Sequence, residues 1–108
     1  MAIKIKPIRE SAPEFKLPKS FEIGGMTVEV ILDPNLLETH GAYGMMDMDR
    51  GKLFMQDDLS GDVQAITFHH EVVHMILNTL GKSDLNGDEG FVDGLANLLW
   101  QALKTAKY

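Results

Sequence analysis

Ser60-Gly61-Asp62-Val63-Gln64-Ala65-Ile66-Thr67-Phe68-His69-His70-Glu71-Val72-Val73-His74-Met75-Ile76-Leu77-Asn78-Thr79-Leu80-Gly81 is the stretch on which the reading of this chain turns. Asp58 or Ser60 can cap its start, Asp62 suits the positive end of a helix dipole, and Leu80-Gly81 reads as a last turn with a glycine stop. One helix of about twenty residues is therefore expected. Val63, Ile66, Phe68, Val72, Val73, Met75, Ile76, Leu77 and Leu80 leave only a narrow polar strip near Gln64 and Asn78, which predicts burial on nearly every side. Within this helix His70-Glu71-Val72-Val73-His74 has the H-E-x-x-H pattern. Residues four apart share a helix face, so both imidazoles can reach one ion while Glu71 projects from the adjacent strip. Two buried imidazoles need partners, and a divalent metal supplies one for both.

The chain around this helix is short. Its 108 residues suit one domain with one modest core. Without cysteine there is no disulfide and no thiolate zinc site, so His and carboxylate are the strong metal ligands left. No apolar run has the length of a membrane span and no secretory signal opens the chain, which predicts a soluble protein of the cytoplasm.

Charge is unevenly distributed. Residues 1–20 carry five cations against two carboxylates, net +3, which leaves −9 on the other 88 residues. Nucleic acid is a poor partner for so acidic a body. The cations of residues 1–20 are scattered among Pro7, Pro13 and Pro18, which reads as a basic, extended, solvated arm, with an edge strand possible at Ile3-Lys4-Ile5-Lys6. Residues 21–108 then form the domain.

From Phe21 the pattern is β. Phe21 to Ile23 and Met26 to Leu32 flank Gly24-Gly25, a two-residue hairpin turn, and Asp33-Pro34 ends the second arm. After a connection with one helical turn near Leu36-Leu37-Glu38, Tyr43 to Asp47 and Lys52 to Gln56 flank a second turn at Asp49-Arg50-Gly51. The expected fold class is α+β: a small antiparallel sheet of three to four strands on the buried helix, followed by a second, C-terminal helix. Leu53 to Gln56 is the strand expected at the sheet edge, where an extended peptide could pair. Met45, Met46, Met48 and Met55 are read as core filling. Asp47-Met48-Asp49 and Asp84-Leu85-Asn86-Gly87-Asp88 resemble calcium loops, but Glu89 and Leu95 occupy the wrong positions for an EF-hand, so turn and cap chemistry accounts for them.

A polar loop, Lys82 to Gly87, leads into the second helix, from about Asp88 to Lys104. A tight return places its start beside His70 and His74. Glu89 can then supply a third ligand and leave a fourth position to water, the pattern of a catalytic zinc site. Asp93, one turn on, can accept the outer N–H of a ligand histidine. The two roles could also be exchanged, with Asp93 as the ligand and Glu89 as a charge at the helix start.

His70 to Leu77, the polar loop, and Glu89-Gly90-Phe91-Val92-Asp93-Gly94-Leu95-Ala96-Asn97-Leu98-Leu99 together resemble the ImmA/IrrE family of zinc metallopeptidases, most of all its small phage and prophage members. In that family a glutamate seven residues before the alanine of a Phe/Leu-Ala pair is the third ligand, and Glu89 stands seven before Ala96 of Leu95-Ala96. The resemblance implies a minimal zincin-like fold, Zn2+ held by His70, His74 and Glu89, and Glu71 as general base. It is strong over residues 60–105 and weaker over the hairpins. Asp93, Met75 and Met46 depart from the usual residues, and the domains by which larger relatives select their targets do not occur in this sequence. The implied activity is peptide-bond hydrolysis, with a protein or peptide such as a repressor or host regulator as substrate, in the host cytoplasm if the chain is phage-encoded. Tyr43, His40 and His69 are the candidate oxyanion donors; Tyr43 leads because it enters a sheet strand, whereas His69 faces away from His70. A second expectation, of another class, is a zinc-stabilised module that binds a host factor without cutting it.

Overall fold

The computed structural model describes residues 15–108. The expected strand at Ile3–Lys6 and most of the basic arm lie outside the described residues. Of the first twenty, Lys16, Lys19 and Ser20 are exposed, whereas Phe15 and Leu17 are packed. Phe15 packs on Phe68, His69 and Trp100, Leu17 joins the main core, and the Lys19 carbonyl accepts from Val30 N at 2.9 Å.

Four strands and four helices follow: β1 (Ser20–Ile23), β2 (Met26–Asp33), α1 (Leu36–His40), β3 (Gly44–Asp47), β4 (Lys52–Gln56), α2 (Gly61–Thr79), α3 (Ser83–Asn86) and α4 (Glu89–Thr105). Both expected hairpins form. Gly24 and Gly25 turn the first with φ of 57° and 80°, a pair of positive values that glycine adopts without strain. The second turn is held by Asp47, whose carboxylate accepts from the Arg50 guanidinium at 2.9 Å.

The sheet corrects the sequence reading in two ways. Its strand order is β1-β2-β4-β3, and β2 pairs with β4 in parallel, Glu29 opposite Lys52 through Asp33 opposite Gln56, so the sheet is mixed rather than antiparallel. Leu53 to Gln56 is consequently an interior strand, and among the described residues β1 and β3 are the edges. The physical reason is burial: Leu53 and Met55 are both fully buried under the helices while Phe54 is half-buried between them, a nearly continuous apolar run of the kind interior strands carry. Leu53, Met55, Val28 and Met75 form the main core, with Met26, Met46 and Met48 packed around them, so most of the methionines do fill the core.

Helix α2 begins at Gly61, directly after Ser60, one of the two expected caps, and ends on a Schellman motif, with Gly81 N donating to Asn78 O at 3.1 Å and Lys82 N to Leu77 O at 2.9 Å. Ser60 takes the N-cap position without a side-chain bond. Burial is less complete than expected. Ala65, His69, Val73, Met75 and Leu77 are buried, whereas Val63 (45 %), Ile76 (38 %) and Leu80 (65 %) are exposed, because the sheet and α4 cover only part of the circumference. The polar loop also contains structure: Ser83–Asn86 is a single helical turn, α3.

Helix α4 starts on Asp88, whose carboxylate accepts from Phe91 N at 3.1 Å. It packs antiparallel on α2. Val92 and Ala96 meet Val73 and Leu77, with Leu85 of α3 wedged against them. At the far end Asp62 accepts from Trp100 Nε1 at 2.9 Å and from Lys104 Nζ at 2.9 and 3.0 Å, tying the first turn of α2 to the last turns of α4. Among the described residues, no helix is long and apolar enough to cross a membrane.

Candidate metal centre

Antiparallel packing of α2 on α4, with the short return through α3, brings three potential ligands to one point. His70 and His74 lie one turn apart on α2, their Nε2 atoms 3.2 Å from each other. Glu89, the first residue of α4, places one carboxylate oxygen 3.3 Å from His70 Nε2 and the other 3.4 Å from His74 Nε2. Ligand atoms bound about 2.05 Å from a tetrahedral zinc are separated by about 3.3 Å. The three observed separations match that edge length.

The outer nitrogens settle which way each ring presents its lone pair. His70 Nδ1 donates to Asp93 Oδ1 at 2.7 Å, and His74 Nδ1 donates to Asn86 Oδ1 at 2.6 Å. With both Nδ1 protons directed outward, both Nε2 lone pairs face inward, towards each other and towards a carboxylate. In this neutral form three acceptors converge, an arrangement that suits a divalent cation. The donor set fits zinc. His70, His74 and Glu89 form a group able to hold a metal ion, and with Asp93 bonded outside His70 the ligand reading for this pair falls to Glu89.

Glu71 lies on the neighbouring strip of α2, largely enclosed. Burial pushes its carboxyl above the ordinary value; the nearby His70 and His74 oppose that shift and Glu89 reinforces it. The wall that encloses it is β3, where Gly44 packs on the Glu71 side chain. Glu89 itself is 64 % exposed, so the group opens to solvent on the α4 side while α2 and β3 close the other.

The remaining expected residues fall elsewhere. Tyr43 immediately precedes β3; its carbonyl accepts from Gln56 N at 2.8 Å and its ring is half exposed. His40 ends α1 in solvent. His69 is a packing residue, 6 % exposed, with Nδ1 bonded to Ala65 O at 2.7 Å and its ring between Phe15, Phe68 and Trp100. Asn86 was not expected at the site. The sequence around it reads as an oxygen-rich loop, and its oxygen is indeed used, on a histidine rather than on calcium.

No family model matches this chain, and comparison with curated proteins and with solved structures returns no match.

Proposed function

We propose that this chain is a zinc-dependent metallopeptidase of the ImmA/IrrE kind with a minimal zincin-like fold. The observation that carries the reading is the triangle of His70, His74 and Glu89 donor atoms, 3.2 to 3.4 Å on a side, with the Glu71 carboxyl on the adjacent strip. Zinc bound there would polarise a scissile carbonyl and make a coordinated water acidic near neutral pH. Glu71 accepts the proton of the attacking water and returns it to the leaving amine. Its place beside the ligand rings, enclosed by β3, supports the role. Asp93 holds the His70 ring in the tautomer that presents Nε2.

Substrate is assigned to the outer edge of β3, unpaired among the described residues, which replaces β4 in this role. An extended peptide pairing with that edge runs past Gly44 and so past Glu71. Tyr43, next to Gly44 in the chain, is the residue we assign to stabilise the oxyanion. Among the described residues no fourth His, Cys, Asp or Glu joins the group, which supports a catalytic site over a binding-only module. The proposed substrates are proteins or peptides, phage repressors among them.

Elemental analysis after dialysis against metal-free buffer tests the reading. About one zinc per chain in the wild type, and much less in Glu89→Ala, is expected. No bound metal, together with no rise in thermal stability on adding zinc, would overturn it. Cleavage of a candidate repressor by the wild type but not by Glu71→Gln then separates peptidase from binding module.

A further inference from the structure

The two ligand histidines are oriented by different chemistry. His70 is backed by the carboxylate of Asp93, from the same helix that supplies Glu89. His74 is backed by the neutral amide of Asn86, the last residue of the one-turn helix α3. That turn is anchored on three sides. Asn86 N donates to Lys82 O at 2.9 Å, the preceding Leu85 is wedged against Val73, Leu77, Val92 and Ala96, and Asp88 N returns to Leu85 O at 3.0 Å. Leu85 thus ties the turn that carries the Asn86 amide to both long helices.

An acceptor is needed there for a specific reason. In water the Nε2–H tautomer is the commoner form of neutral histidine, and it would put a proton where His74 has to offer a lone pair. An acceptor on Nδ1 reverses that preference. A carboxylate could do the same, but Glu71, Glu89 and Asp93 already surround the two rings, and an amide adds an acceptor without a fourth negative charge. From this geometry we propose that Asn86 is a positioning residue of the metal centre: its side-chain oxygen fixes His74 as the Nδ1–H tautomer and so presets the site for zinc. The inference rests on the metal reading above.

Two measurements test it. Long-range proton–nitrogen NMR on metal-free wild type reads the tautomer directly, and His74 is expected as Nδ1–H, shifting towards Nε2–H in Asn86→Ala. Zinc affinity by competition with a chromophoric chelator is expected to fall about 10- to 100-fold in Asn86→Ala. Asn86→Asp, which keeps an oxygen in the same place, is expected to retain the Nδ1–H form and close to wild-type affinity. Far-UV circular dichroism of each variant in chelator checks the fold. A wild-type His74 found as Nε2–H, or an affinity unchanged in Asn86→Ala, overturns the assignment of Asn86. An Asn86→Asp protein as weak as the alanine variant also overturns it, since the defect would then follow loss of the amide and not of an acceptor. A wild type that binds no zinc overturns the metal reading itself, a result distinct from the others.

Discussion

Gly44 of β3 stands against Glu71 of α2 with no room for a side chain between them: a Cβ at Gly44 would lie 3.0 Å from Glu71 Cγ, 3.5 Å from Glu71 Cδ and 2.9 Å from Thr67 Cγ2. The sheet edge and the proposed base are thus in direct contact, and glycine makes that approach possible. Gly44→Ala should push Glu71 or the strand aside, at a cost in stability of about 1–3 kcal/mol as for overpacked sites in general. Zinc content should be retained while peptide hydrolysis falls. Denaturant unfolding and a cleavage assay on the same preparation check it; a variant with wild-type stability and activity would show the contact to be slack.

Glu71→Gln separates holding a metal from using it. The amide keeps the size and the surroundings of the carboxyl but cannot take a proton, so zinc stoichiometry should match the wild type while turnover is lost. Zinc should still raise the melting temperature of both proteins, since a ligand at about 100 times its Kd adds about 2.7 kcal/mol to the folded state. Full hydrolytic activity in Glu71→Gln would remove Glu71 from the base role.

Asp62 predicts a pH effect far from the centre. The Lys104 ammonium, and then the Trp100 indole N–H, hold its carboxyl below the usual value. A depressed carboxyl contributes stability above its unfolded pKa of roughly 3.9, and that contribution is lost as pH falls through the lower folded value. Asp62→Asn should accordingly be less stable than wild type at pH 7, with the gap narrowing steadily in acid. Urea unfolding at several pH values measures it, and a gap independent of pH would exclude ionisation as its source. Salt should shrink the gap as well, because the pair is on the surface.

The first hairpin turn is fitted to the end of α2. A Cβ at Gly24 would meet Thr79 Cγ2 at 2.7 Å, and its φ of 57° disfavours any side chain. Gly24→Ala should cost about 1–2 kcal/mol from backbone strain alone, and more from the clash. Thr79→Ser removes the offending methyl while keeping the hydroxyl that donates to Met75 O at 2.8 Å. In the Gly24→Ala background it should recover the clash and leave the strain. A double-mutant cycle with no coupling would place the whole cost in the backbone.

Periodicity and spacing were enough to place the centre. His70, Glu71 and His74 follow from one helix, and Glu89 and Asp93 from the second helix and a short return, because these are local patterns in which the neighbour in space is also near in sequence. Long-range choices were harder to read. Each hairpin is signalled by its turn, but nothing local tells which edges of two hairpins meet, and an apolar triplet such as Leu53-Phe54-Met55 was the clue to an interior strand. Asn86 escaped for a related reason: a residue before Gly87 and the Asp88 cap looks like ordinary turn chemistry, and its contact with His74 depends on how α3 seats Leu85 between two helices. Phe15 falls in a segment whose prolines and lysines point to a solvated arm, and its partners Phe68, His69 and Trp100 are far along the chain.

The parallel register of β2 with β4 makes the sheet two hairpins joined along one seam, with Glu29 to Asp33 on one side and Lys52 to Gln56, 23 residues later in the chain, on the other. Each hairpin needs only local contacts and can form within microseconds. Joining them requires closure of the intervening chain, a slower entropic step. The strand that meets Glu71 belongs to the later hairpin, while the turn that meets Thr79 belongs to the earlier one, and the same helix lies across both. The three residues of the metal group lie on α2 and α4, joined through the one-turn α3, whereas the wall behind Glu71 is supplied by the sheet. Under the proposed function, capacity to hold a metal would depend on the pairing of α2 with α4, and capacity to cut a peptide on the docking of the later hairpin against α2 as well.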